Sequence, residues 1–133
     1  MSNKTFNKIV SESSEALNKI NSEQLNSLIE EKKDMVILDV SDKEVVEKRG
    51  SVPGALNISL GTLYFKADAE VPDDYKDSRI QNREKKVVMT CTVGACAAIG
   101  GKLLKDMGFK DIVLLEGGTE AWKKSGYTLE NNK

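Results

Sequence analysis

The sequence of 133 residues contains no histidine, and this absence removes the catalytic systems that depend on an imidazole base. Ser-His-Asp and Cys-His catalysis are therefore excluded. A zinc site is not expected either, because histidine and cysteine are the usual zinc ligands and the chain has only two cysteines, Cys91 and Cys96. Any cysteine chemistry in this protein must activate the sulfur by other means.

Disulfide scaffolds, membrane segments and basic surfaces are also missing. Two cysteines are too few for the framework of a small secreted protein. No apolar run approaches the roughly 20 residues that span a membrane, and the segment from Met1 to Phe6 lacks the apolar stretch of a signal peptide. Lys and Arg total 20 against 21 Asp and Glu, which disfavours binding to nucleic-acid phosphates. We therefore expect a cytoplasmic protein that binds neither nucleic acid nor membrane.

What the sequence does contain is typical of one globular domain. Hydrophobic residues make up 39% and charged residues 31%, and a chain of this length buries enough surface to fold without disulfides. Four short segments are predicted to be strands, bounded by turn residues or by charged residues. They are Met35–Leu38, Ala55–Ile58, Val87–Met89 and Ile112–Leu115.

Helical segments alternate with these strands. Residues 5–18 are predicted to form a polar helix packed on the outside of the domain. Asn21 and Gln24 fit a capping pair at the start of a second helix, and Ser41 with Glu44 fits a capping box before a third. Further helices are predicted over 96–107 and 119–124. The alternation indicates an α/β domain with a mostly parallel sheet.

Residues that could take part in binding or catalysis follow the ends of three predicted strands. Asp39 and Cys91 follow two of them closely, and Glu116-Gly117 follows the last one. Ligands of open parallel sheets bind beyond the carboxyl ends of the strands. We therefore expect a functional site where these three ends meet.

Cys91 is the most informative of these residues, because it begins a loop of small residues between a strand and a helix. The loop continues through Thr92, Val93, Gly94, Ala95 and Cys96. Consecutive loop amides and the helix N-terminus can converge on the sulfur and favour an anion, whether a thiolate, a persulfide or a bound oxyanion. This geometry would activate a nucleophile without histidine. The alternative is a buried, unreactive thiol, since free cysteine is among the most buried residue types.

Several motifs surround this loop in a defined order. They are Leu38-Asp39-Val40, Gly50 to Ile58, the loop from Cys91 to Cys96, Met107-Gly108-Phe109, Leu115-Glu116-Gly117-Gly118 and Ala121-Trp122. With this order and spacing the chain resembles a single-domain rhodanese over roughly residues 20–130. The resemblance implies a rhodanese-like three-layer α/β sandwich, with a five-stranded parallel sheet flanked by helices on both faces. Residues 21–133 would form this domain, and residues 1–20 would form a helical extension packed on it.

The resemblance also implies a sulfurtransferase that carries sulfane sulfur as a persulfide on Cys91 and that needs neither metal nor cofactor. The loop residues from Thr92 to Cys96 would bind the substrate, and Asp39 would organise the site. The sulfur donor would be thiosulfate, polysulfide or a persulfide. The acceptor would be cyanide, glutathione or a protein thiol, and the protein would be a monomer or a homodimer.

The chain departs from the family at several positions. The family often has Arg where this chain has Ser41 and Cys96, and His where it has Ser51. The loop therefore contains no fixed charge, and the guanidinium that would grip the thiosulfate dianion is missing. Lys66 is a candidate replacement, although a solvated surface lysine is the favoured interpretation. We expect polysulfide or a persulfide to be a better donor than thiosulfate.

Two alternatives stay open at this point. The protein could be a persulfide carrier or regulatory sulfur-binding module with little turnover. Cys96 is either a packed apolar residue, which we favour, or a resolving thiol that attacks a Cys91 persulfide or closes a disulfide. The loop is one residue shorter than that of the related dual-specificity phosphatases and arsenate reductases, which argues against those activities.

Overall fold

The computed structural model describes residues 3–131 as alternating strands and helices. The strands are β1 (Asn18–Ile20), β2 (Met35–Asp39), β3 (Leu56–Asn57), β4 (Lys86–Thr90) and β5 (Asp111–Leu115). The helices are α1 (Phe6–Glu15), α2 (Ser22–Glu30), α3 (Lys43–Arg49), α4 (Leu60–Lys66), α5 (Ala95–Asp106) and α6 (Gly118–Lys124). Met1, Ser2, Asn132 and Lys133, which the predicted extension and domain include, lie outside the described residues. No helix within residues 3–131 is long and apolar enough to cross a membrane.

The five strands form one parallel sheet in the order β1-β5-β4-β2-β3. Successive side chains of a strand point to opposite faces of a sheet. Accordingly, Met89 of β4 belongs to a core cluster with residues of α4 and α5, while its neighbour Val88 packs in a second cluster with Leu25 of α2 and Trp122 of α6. The predicted five-stranded sheet with helices on both faces is confirmed.

Local capping signals predicted one helix start correctly and one incorrectly. The Asn21–Gln24 capping box is present, with each side chain accepting a hydrogen bond of 2.8 Å from the other residue's amide. The Ser41–Glu44 box is wrong. Helix α3 begins after Asp42, whose side chain makes no capping hydrogen bond. The amide of Ser41 instead donates to Oδ1 of Asp39 at 3.0 Å, because this buried carboxylate competes for local donors.

The N-terminal segment differs from the prediction at its end. Helix α1 stops at Glu15, and Asn18–Ile20 forms an edge strand paired with β5, inside the segment that the sequence assigned to a helical extension. The sequence of this segment shows no strand pattern. Its extended conformation comes from main-chain pairing with β5, which is distant in the chain. Helix α1 packs on α5, and Nζ of Lys105 donates to the carbonyl of Ala16 at 2.6 Å.

The contact between the N-terminal segment and α5 depends on a small residue. A Cβ atom added to Gly101 would lie 2.6 Å from Cδ1 of Leu17 and 3.3 Å from atoms of Met89 and Ile112. All three of these side chains are buried in one cluster, so none can withdraw without disturbing the core. Gly61, in α4, has open space where its Cβ would be.

These two helical glycines provide a matched stability test. We expect Gly101→Ala to lower the free energy of unfolding by about 1–3 kcal/mol, because the extra methyl overpacks the core. Gly61→Ala should leave it unchanged or raise it by up to about 1 kcal/mol, because alanine is the better helix former. Denaturant unfolding of the two variants measures both effects. A Gly101→Ala protein as stable as Gly61→Ala would contradict the proposed close packing.

Candidate active site

The ends of the central strands meet at one edge of the sheet, as the sequence predicted. Asp39, the last residue of β2, pairs in register with Thr90, the last residue of β4, and Cys91 follows at once. The amide of Val40 donates to the carbonyl of Thr90 at 3.0 Å and continues the pairing past the strands. Cys91 and Asp39 are therefore brought to the same edge from separate parts of the chain.

The sulfur of Cys91 lies within the turn of its own loop. The amides of Gly94 and Ala97 donate to Sγ at 3.1 and 3.3 Å, and only 4% of the residue is exposed. Gly94 has a φ angle of 100°, a left-handed conformation that lets the chain turn directly into α5. Two amides aimed at one sulfur, at the N-terminus of a helix of 12 residues, stabilise negative charge on that sulfur.

Helix α6 holds the same loop from the other side. The amide of Thr119 donates to the carbonyl of Cys91 at 2.8 Å, and the amide of Glu120 donates to the carbonyl of Thr92 at 3.0 Å. A Cβ atom at Gly118 would lie 2.3 Å from the carbonyl oxygen of Cys91. Glycine at this position is therefore what allows α6 to approach the loop and fix its carbonyl groups.

Arg49, which the sequence analysis did not single out, connects the acid of β2 with the cysteine loop. Its Nη2 pairs with Oδ2 of the fully buried Asp39, and its Nη1 donates to Oγ1 of Thr92 at 2.6 Å. The same guanidinium donates from Nη1 to Oγ of Ser41 at 3.3 Å and from Nε to the carbonyl of Gly50 at 2.9 Å. Four of the five guanidinium N–H groups are thus occupied by protein oxygens.

The sequence predicts that a cation lies near Asp39, but it does not identify Arg49 as that cation. A carboxylate at the end of a buried strand needs a counter-charge, so Asp39 predicts a nearby cation. Lys43, Lys48 and Arg49 all follow within one helix, and the spacing does not choose among them. The choice depends on how the last turn of α3 faces the loop.

A cavity of about 500 Å³ opens over Cys91. It is lined by Phe6, Val40, Ser41, Asp42, Val45, Leu60, Cys91, Thr92, Val93, Ala95 and Cys96. Four of the five predicted substrate-binding residues are therefore on its wall. The fifth, Gly94, is buried and turns its amide to the sulfur, while Asp39 lies behind the wall and reaches the loop through Arg49.

The cavity wall carries a negative charge from Asp42, which does not favour the binding of an anion. No Lys or Arg of the part of the chain that the structure describes lines it, and Lys66 is not among the lining residues. Burial raises the pKa of the Cys96 thiol, and the charges of Cys91 and Asp42 raise it further. Cys96 is therefore a protonated thiol near neutral pH, and Asp42 supplies negative charge at the same wall.

Other parts of the structure offer weaker candidates for a reactive site. Residues 3–131 contain no group of three or more metal-binding side chains. A second cavity of about 560 Å³, beside β2 and β3, has Lys43, Glu47 and Arg79 in its wall but no cysteine among its lining residues. The cavity over Cys91 is therefore the better candidate for covalent chemistry.

Comparison with known proteins assigns the chain to a family. The rhodanese-like domain matches residues 21–125. The thiosulfate sulfurtransferase GlpE of Coxiella burnetii is 30% identical over 102 residues, which cover 77% of this chain and 84% of that protein. At the level of the family, this similarity supports a sulfurtransferase.

Solved structures with the same fold agree with this assignment. A Rhodopseudomonas palustris protein, described as of unknown function and a possible tyrosine phosphatase, is 27% identical and superimposes with a TM-score of 0.89 over 98% of this chain and 97% of its own. A human single-domain sulfurtransferase, 20% identical, shares the fold with a TM-score of 0.69 over 80% of this chain and 95% of its own. The chain belongs to the rhodanese-like domain family.

Proposed function

We propose that this protein is a sulfurtransferase that carries sulfane sulfur on Cys91. In the first step the Cys91 thiolate attacks the outer sulfur of a donor RS–SH. The S–S bond of the donor breaks, RS⁻ leaves and takes up a proton, and Cys91 becomes a persulfide. In the second step an acceptor thiolate attacks the outer sulfur of this persulfide and releases the Cys91 thiolate. The sulfur changes carrier, and no external oxidant or reductant is needed.

The observation that carries this proposal is the pair of amides at the sulfur of Cys91. Gly94 and Ala97 donate to Sγ at 3.1 and 3.3 Å, and no side-chain base within residues 3–131 is hydrogen-bonded to this sulfur. These donors would stabilise negative charge on the attacking sulfur, and the same concave loop can receive the terminal sulfur of a persulfide. Membership of the rhodanese-like domain family and the likeness to a thiosulfate sulfurtransferase point to the same chemistry.

The charge distribution favours a persulfide or polysulfide over thiosulfate as the donor. A thiosulfate dianion would enter a cavity that has Asp42 in its wall and, among the described residues, neither Lys nor Arg. The guanidinium of Arg49 contacts Thr92 of the cavity wall, but four of its N–H groups are bonded to protein oxygens. This guanidinium therefore stabilises the fold and has too few free N–H groups to bind an anion in bidentate fashion.

Phosphate-ester hydrolysis is less well supported. The Rhodopseudomonas palustris neighbour is described as a possible tyrosine phosphatase. A phosphate monoester also carries two negative charges, and the described residues that line the cavity include no Lys or Arg to pair with them. The loop from Cys91 to Cys96 is also one residue shorter than the loops of the related dual-specificity phosphatases.

The carrier role predicts a specific mass change. Incubation with polysulfide should add one sulfur atom to Cys91, and cyanide or dithiothreitol should remove it. Cys91→Ser should lose both the added mass and sulfur transfer, because the serine hydroxyl is not ionised near neutral pH. Intact-mass analysis with peptide mapping measures the first effect, and thiocyanate formation measures the second. A Cys91→Ser protein that keeps both would refute the proposal, whereas loading without repeated turnover would indicate a carrier module.

The charge of the cavity predicts the order of donors. Wild-type protein should turn over polysulfide or glutathione persulfide with a higher kcat/KM than thiosulfate. Cys96→Arg should raise kcat/KM for thiosulfate about tenfold, because a guanidinium can hold two sulfonate oxygens at once. Cys96→Met is the control, because methionine is also a long side chain but carries no charge. Wild-type turnover that is fastest with thiosulfate would show that backbone amides suffice.

Arg49 is proposed to position the cysteine loop through Thr92. Its hydrogen bond to Oγ1 of Thr92 attaches the residue next to Cys91 to a cation that is itself held by Asp39. This arrangement limits the freedom of the loop whose amides face the sulfur. Arg79 and Asp77 also form an ion pair, but the Arg79 side chain is largely exposed and its hydrogen bonds go to Asp77 and not to the loop.

This pair of ion pairs gives a controlled test. Arg49→Met should lower the free energy of unfolding by about 3–5 kcal/mol, because it leaves the Asp39 carboxylate buried without a counter-charge. Arg79→Met should cost at most about 1 kcal/mol. Thr92→Val removes only the acceptor in the loop and should slow Cys91 persulfidation several-fold while the protein stays folded. An unchanged rate of Cys91 persulfidation in Thr92→Val would contradict the proposal that Arg49 positions the loop.

A further inference from the structure

Three exposed apolar side chains from separate parts of the chain meet at the cavity over Cys91. They are Phe6 of α1, Val45 of α3 and Val93 of the loop, with 55%, 42% and 57% of each residue exposed. Such residues are normally scattered singly over a protein surface. Their convergence around a nucleophile indicates that an apolar group is bound there.

Phe6 is the unexpected member of this group, because helix α1 precedes the region matched by the rhodanese-like domain. The helix is firmly held. Oγ1 of Thr5 accepts from the amide of Lys8 at 3.1 Å at its start, and Val10 packs against the main core cluster. Phe6 therefore occupies a defined position at the cavity and is not part of a loose tail.

The cavity has the size and character of a small-molecule site. Its volume of about 500 Å³ falls within the range of typical ligand pockets. Besides the cysteines, Asp42 is the only ionisable side chain among its described lining residues. An apolar substituent gains contact with Phe6, Val45 and Val93, whereas an anionic substituent meets a carboxylate and no counter-charge.

From this arrangement we infer that the preferred sulfur donor is a small hydropersulfide whose organic group is apolar and uncharged, and that Phe6 is a residue that determines this specificity. The inference rests on the proposed sulfurtransferase function and names the substrate class of the same site. In the transfer, the Cys91 thiolate takes the outer sulfur, the S–S bond breaks, and the apolar thiolate leaves and is protonated. The apolar wall holds the organic group while this exchange occurs.

Two hydropersulfides with the same two-carbon spacer, one ending in an apolar ring and the other in an anion, test the inference. We would measure by intact mass the single-turnover rate at which Cys91 gains one sulfur atom from 2-phenylethyl hydropersulfide and from 2-sulfonatoethyl hydropersulfide. Each rate is divided by the rate of the same donor with free N-acetylcysteine, which corrects for intrinsic reactivity. The corrected rate should be about tenfold higher for the phenylethyl donor in the wild-type protein.

The variants separate the role of Phe6 from a general effect of α1. Phe6→Ala should lower the donor preference about fivefold, since the lost contact involves a half-exposed ring. Ile9→Ala is the matched control, because Ile9 lies on the same helix, is 39% exposed and does not line the cavity. It should leave the preference unchanged. Val93→Thr keeps the side-chain shape but replaces one methyl group with a hydroxyl, and it should also lower the preference.

The outcomes distinguish the two levels of the proposal. Equal corrected rates for both donors, or equal preferences in Phe6→Ala and Ile9→Ala, would overturn the specificity inference while leaving persulfide formation on Cys91 intact. Failure of every donor, including polysulfide, to add sulfur to Cys91 would overturn the sulfurtransferase function itself and the inference with it.

Discussion

A buried ion pair between Asp39 and Arg49 connects the sheet with the cysteine loop, and much of the site geometry depends on it. Asp39 lies at the end of β2, where it has no access to solvent, and Arg49 supplies its counter-charge from the end of α3. Breaking a buried pair by removing one partner costs far more than losing a surface pair. Because the same guanidinium also donates to Thr92, the fold and the loop are stabilised together.

The loop is held on its second side by backbone contacts that only a small residue permits. Gly118 lets the first turn of α6 come close enough for its amides to bind the carbonyls of Cys91 and Thr92. With its carbonyls fixed outward, the loop presents the amides of Gly94 and Ala97 to the sulfur. The sulfur of Cys91 thus receives positive potential from main-chain dipoles, in a chain that has no histidine.

The cavity itself is lined mostly by apolar side chains. The amides of Gly94 and Ala97 are directed at the sulfur of Cys91, and no Lys or Arg within residues 3–131 lines the cavity. Asp42 disfavours a second negative charge, and the raised pKa of Cys96 keeps its thiol neutral. Whether Cys96 only packs or also resolves a persulfide stays a prediction. Its position on the wall beside Cys91 is compatible with either role.

Local sequence was enough to predict the α/β class, the strand ends that carry Asp39 and Cys91, and the loop whose amides face the sulfur. These features follow from local patterns: short apolar runs, small residues and a glycine where the chain turns sharply. Long-range packing, in contrast, sets the edge strand Asn18–Ile20, the choice of Arg49 as the cation that pairs with Asp39, and the position of Phe6 at the cavity. Each of these joins residues that are distant in the chain, and neither periodicity nor spacing records which distant partner a strand or a side chain will meet.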